Sequence, residues 1–499
     1  SDGAADVQPI QLFNMTTSNT AVSAKYLLCF DGVQRSNDVL KNIAKSTDIT
    51  ENDANRISAE ARFLRGFYYF ELKKIYNRVP YIDENTTDYN QPNDVDIWPA
   101  IEADLKFAAE NLPPVQTQKG RANSWAAMAY LAKAYMFQDK YADALPLFTK
   151  LINEGVTASG QKYQLVSFQQ NFSPQANQKN GPESVFAAQS SVNDGSAASN
   201  GNRPDNLNFP YNDGPGGCCG YFNPSQSLAN SFKTDASGLP LFETFNTGAD
   251  VSDPAAPYNG SLDPRIDFTM GRPEIPYLDW GAPKASWIRD PATNGHFNPR
   301  KNVYSKAEKS AVTSTEDYWG ASSVTAININ LMRFSDILLM AAEAEVEAGS
   351  ADVALQYVNR VRMRAADPAG WVYKNSAYDV AKSAYTDQTT PADKYLIKPY
   401  PAGAFADKNY ALKAIHFERK LEFGTEGHRF FDLQRWDNGT GSMANEINAF
   451  LQHDVKVNPT LKGGFFTKGV NEFMPIPQSQ IDLSAAKGNG VLTQNAGYK

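Results

Sequence analysis

The stretch that decides the fold is WAAMAYLAKAYMFQDKYADALPLFTKLI, residues 125–152. Its apolar residues recur at helical spacing on both sides of a polar break at Gln138, Asp139 and Lys140. The spacing predicts two helices joined by a short turn, each with one apolar face. Ala132 and Ala144 are small enough to let the two helices approach closely, and Tyr135 and Phe148 are large enough to wedge between them.

Leu131-Ala132, Tyr135, Ala144 and Phe148 stand at the spacing of a tetratricopeptide hairpin. The pattern returns 210 residues later: Ala342, Ala344, Ala354, Leu355 and Val358 follow Ala132, Ala134, Ala144, Leu145 and Phe148 position for position. Gly349-Ser350 supplies the turn of this second hairpin, glycine being suited to a left-handed helix end. Earlier, residues 59–75 place Phe63, Phe67 and Phe70 on one helical face, and residues 94–112 place Ile97, Ile101, Leu105 and Ala108 on another. Pro80 and the pair Pro113-Pro114 close these two segments. A repeated hairpin predicts an imperfect helical stack, in which each unit buries its face against the next.

Between the two hairpins the texture changes. Residues 155–329 are rich in Gly, Pro, Asn, Asp and Ser, as in Asn212-Asp213-Gly214-Pro215, with only short apolar runs such as Val185-Phe186. That is turn chemistry over a length too great for a structureless loop, so an irregular lobe inserted into the scaffold is expected. A second excursion occupies residues 367–409. The chain thus divides into a helical scaffold at 26–154, an inserted loop-rich lobe at 155–329, and a second scaffold portion at 330–366 and 408–499, all within one domain spanning 1–499. The expected fold class is mostly α.

Bulk properties narrow the function. A formal charge of −8 offers no basic stripe for phosphates, so nucleic acid is not an expected partner. The longest apolar run, residues 337–342, is far shorter than the roughly 18 residues of a membrane helix. Three cysteines, Cys29, Cys218 and Cys219, are too few for a disulfide-stapled fold.

A constellation for catalysis is not legible. No G-x-S-x-G elbow, Walker loop or HExxH helix occurs, and a glycine-rich pattern opened by Gly214 and Gly216 meets Cys219 where a phosphate loop needs glycine. His296, His416, His428 and His453 lack metal-ligand spacing, so neither a metal nor a cofactor is expected. Aromatics, at 12% of residues, are more informative. Tyr277, Asp279, Trp280 and Trp287 lie among Pro276, Gly281 and Pro283, and Tyr318-Trp319 follows before Gly320. Indole and phenol rings stack on the C–H faces of sugars, while neighbouring polar side chains meet the hydroxyls. These six residues are therefore candidate ligand contacts, with loop anchoring as the competing explanation for the rings. Cys218-Cys219, framed by Gly216-Gly217 and Gly220-Tyr221, is a further candidate. Joined, the pair would form a rigid apolar bump able to face a ligand beside Tyr221; unjoined, they are two thiols in a loop.

Three longer motifs carry a resemblance. AEARFLRGFYYF at 59–70, ERKLEF at 418–423 running on to EGHRFFDL at 426–433 and Arg435-Trp436, and the tail MPIP at 474–477 with IDL at 481–483 and LTQN at 492–495 are together similar to the SusD/RagB family, relatives of the starch utilisation system's D component. The resemblance implies a tetratricopeptide-like scaffold and a non-catalytic, outward-facing lipoprotein of the outer membrane in Bacteroidetes. Such a protein caps a SusC-like TonB-dependent transporter barrel and captures an oligosaccharide, or sometimes a peptide, in its irregular loops. It also implies an N-terminal lipidated cysteine ahead of the stretch resembling residues 26–40; Cys29, inside a helical pattern, is not that anchor. A glycan-active enzyme and a tetratricopeptide adaptor for another protein are the alternatives.

Overall fold

The computed structural model describes residues 5–217, 219–314, 324–488 and 490–498. The fold is mostly α. Five helices come first: α1 Thr20–Ile43, α2 Glu51–Tyr76, α3 Trp98–Asn111, α4 Ser124–Met136 and α5 Tyr141–Glu154. Asn19, Thr50 and Asn123 begin α1, α2 and α4, each side-chain oxygen accepting a backbone N–H of the first turn. Each helix packs on the next, from α1 through to α5.

The stack then continues as if nothing intervened. The next long helices, α6 Phe334–Ala348 and α7 Ala351–Ala366, pack on each other, and α6 packs directly on α5 despite the 179 residues between Glu154 and Phe334. The two repeated hairpins are therefore neighbours in space. Ala132, Ala134, Ala144 and Phe148 are buried in the main core, and so are their counterparts Ala342, Ala344, Ala354 and Val358. The inserted chain leaves and re-enters through a neck of two antiparallel strands, β1 Ser184–Ala188 and β2 Ile329–Arg333, with Ser184 opposite Arg333 and Ala188 opposite Ile329.

Three further helices complete the scaffold: α8 Lys408–Glu422, α9 Arg429–Asp437 and α10 Ser442–Asp454. Beyond them the tail lies across the end of α2. The Met474 amide donates to Ile75 O at 2.8 Å, and the Asn495 side-chain amide donates to Tyr76 O at 2.8 Å. Pro475 and Pro477 hold this strip extended, as their fixed φ requires.

Scaffold and lobe share apolar packing, with Phe417 and Leu421 of α8 in one core with Phe232, Ile266 and Phe268, and they are joined as well by buried charge. Glu418 and Glu422 on α8, with Glu426 just beyond it, are buried against Arg265 and Lys301 of the lobe, Arg333 of the neck, and Arg362 and Arg364 of α7. Arg265 also meets Asp263 at 2.7 Å, and Arg333 meets Glu183 at 2.6 Å. Five cations thus face five carboxylates. A second buried set ties α4, α6, α8 and α9: Lys133 and Arg419 on Asp336, Arg419 and Arg435 on Asp432, Arg435 on Glu343. Three cations face three carboxylates there. Burial acts to raise the Glu422 carboxyl, but Arg364, Arg333 and Arg265 more than offset it and hold the group well below the usual range. Asp432, likewise buried, is held down to about 2 by Arg419 and Arg435.

Removing one partner from such a set leaves opposite charges buried and uncompensated. Arg333→Met removes a cation shared by Glu183, Glu422 and Glu426 and leaves the set with one uncompensated buried negative charge, which is expected to cost about 3–5 kcal/mol in unfolding free energy, measured as a fall in the urea midpoint. Acid should act on the same region in two stages. Desolvation pushes His416 and His428 down to about 4, against an ordinary value near 6.5. His416 has Glu343, Arg435, Arg429 and Asp432 about it, and His428 has Lys133, Asp336, Glu426 and Arg419. Between these pH values the unfolded chain binds protons that the folded one does not, so stability falls as pH drops from about 6.5 to 4. Below about 4 the depressed carboxylates add a further loss in the same direction. Urea titrations across pH 7 to 4 should show a falling midpoint, with a shallower slope in His428→Asn.

Candidate functional site

The lobe carries its own small core, and that core consumes two of the expected ligand contacts. Tyr277 is 0% exposed and Trp287 is 2% exposed. Both pack with Phe209, Leu278, Val303 and Tyr304, their rings meeting edge to face at 5.8 Å. The Tyr277 hydroxyl donates to Pro299 O at 2.5 Å. Neither ring has a face left for a ligand. Asp279 is corrected for a different reason: it accepts from Ser305 Oγ at 2.8 Å and from the amides of Lys306 and Ala307 at 2.6 and 2.8 Å, so it caps a short turn of helix. Trp280 is half-buried at the edge of the same core, its indole N–H donating to Tyr304 O at 2.8 Å. Loop anchoring is what these four side chains do. Tyr318, Trp319 and Cys218 lie outside the described residues. Cys219 is disulfide-bonded and half-buried, and Cys29 is a free buried thiol.

Among the described residues of the lobe, the exposed aromatic rings lie elsewhere. Phe222 is 51% exposed and Tyr211 is 38% exposed. Tyr211 carries the Arg289 guanidinium over its ring at 5.8 Å. Gly220, two residues before Phe222, lies against Tyr211 with φ +72° and no room for a side chain: a Cβ there would lie 2.9 Å from the Arg289 Cβ and 3.2 Å from the Tyr211 Cβ. The loop is cinched by the Gly220 amide donating to Phe209 O at 3.0 Å and the Tyr221 amide donating to Leu207 O at 3.2 Å. Phe222 itself holds φ +61°, a conformation bulky L residues rarely adopt. Such strain persists only where surrounding contacts impose it, and it concentrates at ligand clamps.

Phe222 stands over a cleft of about 300 Å³, at the small end of the size range for small-molecule sites. One wall is the loop from Gly220 to Gln226, including Tyr221; another is the end of α10 with Phe450, Asp454 and Asn458; Asn294 and Phe297 of the lobe, and Val7 and Gln11 near the chain's start, close the rest. The cleft therefore lies along the seam between lobe and scaffold. Asn223 is one of the lining residues. Its amide nitrogen donates to Gly220 O at 3.1 Å, which fixes the side chain, while its Oδ1 is buried with no protein partner. A buried acceptor without a donor is costly.

Behind this cleft, Ser227, His453 and Asp454 gather in an arrangement that superficially resembles a hydrolytic triad. The hydrogen bonds assign it another role. The Ser227 hydroxyl and amide both donate to Asp454, His453 Nδ1 lies closer to Asp454 Oδ1 (2.8 Å) than to Ser227 Oγ (3.2 Å), and Ser227 is buried. The serine proton is directed to a carboxylate, so the cluster pins the short helix Gln226–Ser231 to the end of α10. Among the described residues no group of three or more His, Cys, Asp or Glu is placed to hold a metal ion, and no helix is long and apolar enough to cross a membrane.

Fold and site together define a class: a helical-hairpin stack that carries an aromatic-and-amide cleft on an inserted lobe. A family model described as the SusD family matches residues 182–498, and a second, described as starch-binding and associating with the outer membrane, matches residues 6–136. The chain belongs to the SusD family. It is 23% identical over 510 residues to SusD-like protein P2 of Formosa agariphila, covering 97% of this chain and 82% of that protein. Among solved structures, a SusD superfamily protein from Bacteroides vulgatus superposes with a TM-score of 0.69 at 20% identity, covering 100% of this chain and 90% of the other. A laminarin-binding SusD-like protein superposes with a TM-score of 0.64 at 22% identity, with 100% and 90% covered.

The two kinds of ring in the lobe should separate cleanly on substitution. Trp287→Ala opens a cavity in a closed core and is expected to cost about 3–5 kcal/mol. Phe222→Ala removes an exposed ring and is expected to change stability by no more than about 0.5 kcal/mol. Urea denaturation of the two variants beside the parent protein checks both.

Proposed function

We propose that the protein captures an oligosaccharide at the outer-membrane surface without altering it chemically, tethered by an N-terminal lipid, and delivers it to a SusC-like TonB-dependent transporter. The observation that carries this reading is the cleft beneath Phe222. An exposed ring held in a strained loop offers a flat apolar face to the C–H side of a sugar. Asn223, Asn294 and Asn458 on the cleft wall carry amide groups of the kind that hydroxyls need. Family membership supports the same reading, as do the description of the model matching residues 6–136 and the laminarin ligand of a structural neighbour.

The helical stack supports a rigid-frame role. Its faces are spent on packing neighbours and on buried ion pairs, which leaves recognition to the loops. Calorimetry against a panel of polysaccharides and peptides, with chromatography of the same mixtures, tests the proposal. Binding of a glycan without product, weakened at least tenfold in Phe222→Ala, is expected. Steady release of shorter sugars, or binding indifferent to Phe222, would overturn it.

A further inference from the structure

We infer that the cleft beneath Phe222 selects uncharged carbohydrate and discriminates against acidic glycans such as uronate or sulfated polymers. The inference rests on the cleft being the glycan site proposed above, and goes beyond it to the chemical class of sugar.

The argument starts from which charges line the cleft. Among the described residues, none of the lining side chains is cationic. The one charged group is Asp454, a carboxylate only 2% exposed and held in place by Ser227 and His453. Recognition of a sugar carboxylate or sulfate calls for the opposite provision: an arginine fork or a lysine that forms short, charge-assisted hydrogen bonds with the anion. Arg289 abuts the lining residue Gly220 through its Cβ, but its guanidinium lies over the Tyr211 ring and it is not among the lining residues. Lys456 and Lys462 are exposed and flank the lining residues in sequence without joining them.

An acidic ring entering this space would lose its hydration, meet a fixed carboxylate, and find no cation in return. That combination is the usual means of rejecting a charged competitor. A neutral ring suffers none of these losses. Its hydroxyls meet the amide side chains of the cleft wall, Asn223, Asn294 and Asn458, and its apolar face lies against Phe222. Amide side chains donate and accept with no net charge, so they serve hydroxyls in either orientation. The polar part of the cleft is therefore matched to hydroxyl groups.

The test is calorimetry on the full chain against neutral polymers (starch, laminarin, xyloglucan, mannan) and acidic ones (polygalacturonate, alginate, a sulfated galactan) at fixed ionic strength. Phe222→Ala reports on the site, and Val457→Lys places a cation at a half-buried position on the cleft wall, with a thermal melt confirming that it folds. A neutral polymer should bind in a Phe222-dependent way at least tenfold more tightly than every acidic one. Val457→Lys should narrow that gap by strengthening the acidic ligands. An acidic polymer bound as tightly as any neutral one, and lost in Phe222→Ala, would overturn the selectivity while leaving glycan capture standing. If no polymer of either kind binds through Phe222, both readings fall.

Discussion

The buried carboxylates of α8 are the constraint on which the rest of the molecule depends. Glu418 and Glu422, followed by Glu426, sit where three parts of the chain meet: the lobe through Arg265 and Lys301, its neck through Arg333, and the late hairpin through Arg362 and Arg364. Apolar packing alone would allow the lobe to settle against the scaffold in several nearby positions. Guanidinium and carboxylate groups, each planar and directional, are satisfied in one position only. Buried ion pairs are poor sources of raw stability, because desolvation consumes most of the Coulombic gain. Their use here is in register, since five cations and five carboxylates neutralise one another only when every segment has arrived.

This placement explains where the cleft lies. The insertion is fastened at its base by the ion pairs and by the two-stranded neck, while its own small core of Phe209, Tyr277, Trp287 and Tyr304 keeps its loops from collapsing. The loop from Gly220 to Gln226 then projects from a stiff body toward the end of α10, where Asp454 pins Ser227. A ligand in the seam between them touches both lobe and scaffold. Rigid supports on each side fix the loop that carries Phe222 relative to the end of α10, so little ordering remains for binding to impose.

Much of this was legible in the residues, for a physical reason. Helix periodicity is a local property, so α2, α4 and α5 could be read directly, and the recurrence of small residues at Ala132 and Ala342 pointed to hairpins that prove adjacent across the insertion. The ERKLEF motif marked the centre of the charge network without disclosing its partners, since Arg265 and Arg333 are distant in sequence and nothing local pairs them with Glu422. The site was harder. Tryptophan in a Pro- and Gly-framed loop reads equally well as a ligand platform or as the core of a small lobe, and Trp287 packs into that core with Phe209, Tyr277 and Tyr304. Phe222 gave little signal beyond its setting, two residues after Gly220 and two before Pro224; its exposure follows from a positive φ that no composition rule anticipates. Tyr221, named from its place beside the cysteines, does line the cleft.

The tail across α2 gives the chain an order of assembly. The carbonyl of Ile75 at the end of the first helical hairpin is satisfied by the Met474 amide, 399 positions further along. A ribosome adding about 5–20 residues per second needs roughly 20–80 s to cover that span. Throughout that interval the early helices can form and pair, yet their terminus stays open. Closure waits for the segment around Met474 and Asn495, so a nascent chain halted before it would present an unfinished rim rather than a shorter version of the same fold.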